Sequence, residues 1–436
     1  MSKKIIVSLF IFVSVVMMNA CSSLGDIIAE ENTTQTENMK SFDAEDAYIM
    51  YALRAEEIGD SNAASELFQI LYEKSGKKEY LYKALKNQIA LKKNQQVIDK
   101  VDEVTLGLID DFKLTRLKIV AMFQLEEYEQ AQNIATALVA KSQAVSDYLL
   151  LSDLYMKEEK YDIALKYLEG AYVKNYDEQI LDKMSIIMFV NLHRKKDAIA
   201  QLETHSRIKG CSELICNRLI GFYSNENNVD GILATYIRMY ESKKNDTIAN
   251  KIIQIYSYKK EYSKMILFLE KYNVDEETLL QLYTVTKDYK KAFVLANKLY
   301  ESSGNLMYLG QSAIFEYESV QKHNNKKVLQ SVVKKLEEVV KKDKNPLYEN
   351  YLGYVLIDHE INVKRGMKHI QNVLVAQPDS AYYLDSLAWG YYKLNQCSKA
   401  KTIMDRVVTL EGGDDPEVIE HVQSINGCIK TKKGKK

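Results

Sequence analysis

The stretch Asp147-Tyr-Leu-Leu-Leu-Ser-Asp-Leu-Tyr155, then Tyr161-Asp-Ile-Ala164 with Leu168 and Ala171, decides the fold. Its apolar residues recur at helical spacing in two segments separated by a polar turn, the signature of a helix hairpin. Ala164 lets two antiparallel helices approach closely. Tyr161, three residues earlier, fills the wedge at the turn, and Leu168, four later, continues the buried face.

Working outward, the same small position recurs at Ala64, Ala131, Ala164, Ala198, Gly231, Met265, Ala292, Gly366 and Ala400. Successive spacings from 131 to 265 are 33, 34, 33 and 34 residues, and 366 to 400 is again 34. A tyrosine stands three positions earlier in Tyr128-Glu-Gln-Ala131 and Tyr289-Lys-Lys-Ala292, and Tyr262 does so before Met265. A period in this range marks a stacked array. One hairpin cannot cover its own apolar face, so its neighbours must.

Composition agrees. The chain has 3 prolines and 17 glycines in 436 residues, too few turn residues for a sheet-rich fold. Hydrophobic residues at 46% and charged residues at 27% exclude a disordered chain and a polytopic membrane protein. A net charge of -1 gives no global reason to expect nucleic acid.

The pattern resembles the tetratricopeptide repeat over most of residues 44–410, specifically at 112–205 and 346–408 and loosely elsewhere. The C-terminal match runs through Leu352-Gly353, Gly366, Ile370 and Pro378, then Leu387-Ala388, Tyr391, Ala400 and Met404. The resemblance implies an all-α, right-handed solenoid superhelix of about ten to eleven helix-turn-helix repeats. Two departures stand out: Met265 to Ala292 is only 27 residues, and a Lys-, Asn- and His-rich insertion lies between Ala313 and Val328. The expected organisation is an N-terminal array over 44–302, an irregular basic connection over 303–345, a C-terminal repeat pair with capping helix over 346–428, and a basic tail over 429–436.

In that family the first helix of each pair lines a concave surface that receives protein partners. The resemblance places Tyr382, Asp385, Trp389 and Tyr392 of the last full repeat there, with Asn350, Tyr354 and Ile357 of the preceding one and Leu347 at the edge. Trp389 and Tyr392 are expected to be exposed as aromatic anchors, and Tyr391 to pack in the core.

At the N-terminus, Lys3 and Lys4 precede a 14-residue apolar run from Ile5 to Met18, interrupted only by Ser8 and Ser14. This is the layout of an export signal, too short to span a ~30 Å hydrocarbon core comfortably. The sequence Met18-Asn19-Ala20-Cys21 resembles the lipobox of bacterial lipoproteins, with Met18 where leucine is commoner. The resemblance implies a signal peptide over 1–20 and a lipidated, flexible tether over 21–43 anchored through acyl chains on Cys21. Ser22 and Ser23, with no aspartate after the cysteine, favour the outer membrane, and the chain is expected to face the periplasm. No cofactor is expected beyond that covalent lipid.

Four further cysteines in an exported chain raise disulfides. Cys211 and Cys216 flank a turn. In the repeat reading, a Cys397–Cys428 bond would staple the capping helix to the array. The alternative is buried free thiols; a zinc site is less favoured, because no Cys-x-x-Cys and no histidine at ligand spacing accompany them. None of the six histidines sits in a metalloprotease or nucleophile-elbow motif, and no phosphate-binding glycine loop occurs. The lysines of 322–344 and 430–436 read as a solvated face and a frayed tail, or else as contacts to an anionic surface. The expectation is a non-enzymatic, membrane-anchored scaffold that binds proteins, takes no small-molecule substrate and serves a cell-envelope assembly. The alternative is a fixed structural part of a large envelope machine, such as a flagellar motor disk or a secretion apparatus.

Overall fold

A computed structural model describes residues 40–320 and 325–433. The expected signal peptide, Cys21 with its lipid, and most of the expected tether lie outside the described residues. So do Lys322, His323 and the end of the basic tail.

Among the described residues the chain forms helices and no strand, paired as eleven hairpins and closed by a last helix. The first four are α1 (Glu45–Glu57) with α2 (Ser61–Ser75), α3 (Lys78–Ala90) with α4 (Asn94–Thr105), α5 (Phe112–Gln124) with α6 (Tyr128–Ser142), and α7 (Val145–Lys157) with α8 (Tyr161–Asn175). Next come α9 (Glu178–Ile186), extended by a π-helical turn at Ile187–Asn191, with α10 (Lys195–Lys209), α11 (Glu213–Asn225) with α12 (Val229–Ser242), and α13 (Asp246–Lys259) with α14 (Tyr262–Tyr272). The last are α15 (Glu276–Val285) with α16 (Tyr289–Ser303), α17 (Leu306–Glu318) with α18 (Lys326–Lys342), α19 (Pro346–Asp358) with α20 (Val363–Ala376), and α21 (Ala381–Lys393) with α22 (Cys397–Val407), followed by α23 (Pro416–Lys433).

The repeat is written into the backbone. The turn inside each of six successive hairpins holds one residue in the left-handed region: Lys92, Glu126, Glu159, His193, Asn227 and Lys260, spaced 34, 33, 34, 34 and 33 residues apart. None is glycine, and each such residue costs roughly 1–2 kcal/mol. The turn offsets this by returning hydrogen bonds to the first helix, as from Lys160 N to Tyr155 O at 2.9 Å and from Asn228 N to Tyr223 O at 2.8 Å. Side chains cap the helices that follow: Asp111 accepts from Leu114 N at 3.2 Å, and Asn362 from Arg365 N at 3.0 Å.

At the crossings, Ala64, Ala131, Ala164, Ala198, Ala292 and Ala400 are fully buried. The tightest crossing joins α19 to α20. A Cβ on Gly366 would sit 2.6 Å from the Gly353 carbonyl oxygen, and one on Gly353 2.9 Å from that of Gly366. The two backbones touch because neither position carries a side chain.

Two compact units result, the described residues up to Ile252 and those from Ile253 on, and the division falls inside α13. In the first unit, first helices of neighbouring hairpins touch directly, α3 with α5 and α9 with α11; in the second, α19 touches α21. The first helices of successive hairpins form one row and the second helices another, which we call the inner and outer rows. Partly buried ion pairs reach across one repeat in the first unit. Arg116 grips Asp147 at 2.5 and 3.0 Å, and Arg218 grips Asp182 at 2.5 and 2.9 Å. Such carboxylates are tolerable away from water only because they are paired.

The expected irregular connection over 303–345 is corrected. It holds an ordinary hairpin, and the unit boundary lies elsewhere. The lysines of α18 mask an amphipathic helix whose Leu329, Val332, Leu336 and Val339 are buried against Leu309, Ala313 and Leu352. Spacing of three and four residues puts those four on one face and leaves Lys327, Lys334 and Lys341 in water.

Candidate functional site

The expected partner groove at the C-terminal repeats is closed by the chain itself. Helix α23 lies against α21 and α22. Its His421 stacks on the Trp389 ring with centroids 3.9 Å apart and places Nδ1 2.9 and 3.0 Å from the two Asp385 carboxylate oxygens. Tyr392 covers the indole too, at 4.6 Å. The indole Nε1 donates to Asp358 Oδ1 at 2.8 Å, and Lys393 Nζ donates to the Asp358 carbonyl at 2.7 Å. From α19, the Tyr354 hydroxyl donates to Glu417 in the first turn of α23.

Exposure of Trp389 and Tyr392 is therefore corrected. Trp389 is 9% and Asp385 6% exposed, Ile357 is fully buried, Tyr392 and Tyr354 are half-buried, and of the expected groove residues Tyr382, at 59%, and Leu347, at 52%, stand in solvent. Asn350 is half-buried, with its Oδ1 lacking a hydrogen-bond partner. Tyr391 is partly buried against the core, next to Met404 and Ala400. The physical reason is the apolar stripe of α23. Val418 and Ile425 need cover, and α21 and α22 supply it through Ala381, Leu384, Ala388, Ala400, Met404 and Val407.

The cysteines pair. Cys211 is bonded to Cys216 with Cα atoms 5.5 Å apart, and Cys397 to Cys428 with Cα atoms 6.0 Å apart. The second bond ties the C-terminal end of α23 to the start of α22.

An open concavity lies farther back in the inner row. Helices α15 and α17 enclose a groove of about 380 Å³, lined by Glu277, Gln281, Thr284, Val285, Met307 and Gln311. Val285 is 74% exposed and Met307 42%, so the groove offers apolar surface among polar groups. The Tyr308 hydroxyl donates to Glu277 Oε1 at 2.7 Å. That hydrogen bond, and then burial, raises the Tyr308 pKa, so the hydroxyl stays protonated and brings no positive charge to the carboxylate. Gln311 Oε1 is shut off from solvent without a hydrogen-bond partner. The spacing does not point to this site because α15 belongs to the shortened repeat, where the resemblance is loosest. The signal was present as the acids and amides at 277, 281 and 311 on successive first helices.

The same device recurs along the row. Tyr351 donates to Glu318, and Tyr354 to Glu417. Burial, followed by Glu318, holds the Tyr351 hydroxyl well above the usual tyrosine range; burial, Asp358 and Glu417 do the same for Tyr354. Among the described residues no group of histidine, cysteine, aspartate and glutamate is arranged to hold a metal ion, and no helix is long and apolar enough to cross a membrane.

No family model matches this sequence, and no curated protein matches it. Among solved structures the chain is similar to the Cut9–Hcn1 hetero-tetramer of the APC/C, at 12% identity over 87% of this chain and 90% of that one, with a TM-score of 0.33. It is also similar to MamA, residues 41 to the end, from Desulfovibrio magneticus RS-1, at 16% identity over 40% of this chain and 99% of that one, with a TM-score of 0.34. The fold is an all-α tetratricopeptide-type array. That assignment rests on the eleven hairpins, their backbone period and their small-residue crossings.

Proposed function

We propose that this chain is a protein-binding scaffold of the bacterial cell envelope, held to a membrane, by preference the outer one, through a lipid on Cys21, and working by capture rather than catalysis. The observation that carries the binding half is the open groove between α15 and α17, where the exposed apolar side chains of Val285 and Met307 lie beside the exposed polar groups of Glu277 and Gln281. Sites of that make-up take a partner's side chains, with the polar groups fixing register. The anchoring half rests on Met18-Asn19-Ala20-Cys21 behind its short apolar run.

Photoreactive residues placed at Gln281 on the inner row and Lys334 on the outer row, followed by crosslinking in intact cells, test the first half. Protein adducts concentrated at Gln281 are expected. Adducts at Lys334 alone would overturn it. For the anchor, Cys21→Ser should abolish fatty-acid labelling and release the chain from the membrane fraction; labelling that persists would overturn it.

A further inference from the structure

We infer that the groove between α15 and α17 receives a basic, lysine- or arginine-rich segment of a partner protein in extended conformation. The inference rests on the scaffold reading and adds to it the chemistry of the partner.

Charge is sorted by row over α15–α20 of the second unit, ahead of α21, which carries both Asp385 and Lys393. The inner helices α15, α17 and α19 carry Glu276 and Glu277, Glu316 and Glu318, and Glu349 and Asp358, and none of the three contains a single lysine or arginine. The outer helices are the reverse: α18 has six lysines against two glutamates, and α20 has two lysines and an arginine with no acid. Some inner acids are neutralised, Glu276 by Lys298 and Glu316 by Lys335. Glu277 and Glu318 are not: among the described residues each is held by a tyrosine hydroxyl, and no cation pairs with either.

A protein of this kind presents opposite fields on its two faces. A cationic segment is repelled by the outer row and drawn to the inner one, while a phosphate-bearing ligand is driven the other way. Inside the groove the functional groups agree with the field. Glu277 offers a carboxylate to an ammonium or guanidinium, and the exposed side-chain amide of Gln281 offers an oxygen that accepts from an N–H. Val285, Met307 and Leu280 take the methylene stem of the same side chain. A volume of about 380 Å³ suits a few side chains of an extended strand and is too small for a packed helix.

Full-length protein titrated with a fluorescent twelve-residue peptide rich in lysine and arginine, and with its glutamate-substituted counterpart, tests this by anisotropy. The basic peptide should bind at least tenfold more tightly, with an advantage that shrinks between 50 and 200 mM salt. Glu277→Gln should weaken it about fivefold or more without altering the melting temperature, and Lys334→Glu on the outer row should not weaken it. Equal binding of both peptides, or a Glu277→Gln variant that binds as the parent does, overturns the inference. Sequencing the segments crosslinked to Gln281 in cells separates the two levels. Adducts on basic segments support both, adducts on acidic or neutral segments overturn the basic partner alone, and failure to crosslink any protein there overturns the scaffold reading at this site.

Discussion

His421 closes on Asp385, with Nδ1 2.9 and 3.0 Å from the two carboxylate oxygens, across 36 residues of sequence and onto a carboxylate only 6% exposed. The pair sits beside the Trp389 indole, which is capped on one side by His421 and on the other by Tyr392. The C-terminal helix is thus a bound internal ligand of the repeat it follows. Trp389 belongs to the cap-to-array packing.

Trp389→Ala should therefore destabilise the C-terminal unit by about 3–5 kcal/mol, the cost of removing a large buried ring and orphaning its hydrogen-bond partner. Urea unfolding followed by circular dichroism checks this. A change under ~1 kcal/mol would mean that the indole is not packed as described.

The Cys397–Cys428 bond closes a separation of 31 residues. Cys428→Ser should lower stability by about 3–4 kcal/mol on the loop-closure relation. Mass spectrometry of the unreduced protein should find two disulfides among the last four cysteines. Four thiols open to alkylation would contradict both bonds.

Alanine at Gly366 should cost more than alanine at Gly170. At Gly366 the new methyl meets the Gly353 carbonyl, a backbone atom that can yield only if the helices part. At Gly170 it meets the Tyr148 ring edge at 2.7 Å, which can swing. Overpacking of about 2–3 kcal/mol at Gly366 and about 1 kcal/mol at Gly170 is expected, readable as a difference in urea midpoint.

Glu203 reports on acid. Burial alone would raise its pKa, but hydrogen bonds from the Arg238 guanidinium and the Tyr223 hydroxyl outweigh burial and hold the carboxyl below the ordinary carboxylate range. The folded pKa is depressed, so its contribution is present above the unfolded value of about 4.3 and fades as pH falls through the folded one. Wild type should be more stable than Glu203→Gln at pH 7, and the gap should close progressively between about pH 5 and pH 3. A constant gap across that range would remove Glu203 from the acid response.

How much was legible follows from how local each cause is. The crossings at Ala131, Ala164, Ala198 and Ala400 could be named from spacing alone, because a helix pair brings position i and its partner face together whatever surrounds them. Helix α18 is legible too, since Leu329, Val332, Leu336 and Val339 stand three and four residues apart, but its six lysines dominate the composition, and that the stripe packs against Leu309 and Leu352 is not written in the spacing. The Glu277–Tyr308 pair was silent, since its partners lie 31 residues apart on different hairpins.

The sequence by itself determined the helix hairpin, its period and the small residues at its crossings. Helical propensity, turn chemistry and close approach act within about forty residues, and each leaves a mark in composition or spacing. Only the tertiary structure decided which part of the inner helix row is open. Whether Trp389 meets solvent or His421 depends on where α23 settles, and that is set by the competition of its apolar stripe for distant surface, which no single repeat encodes.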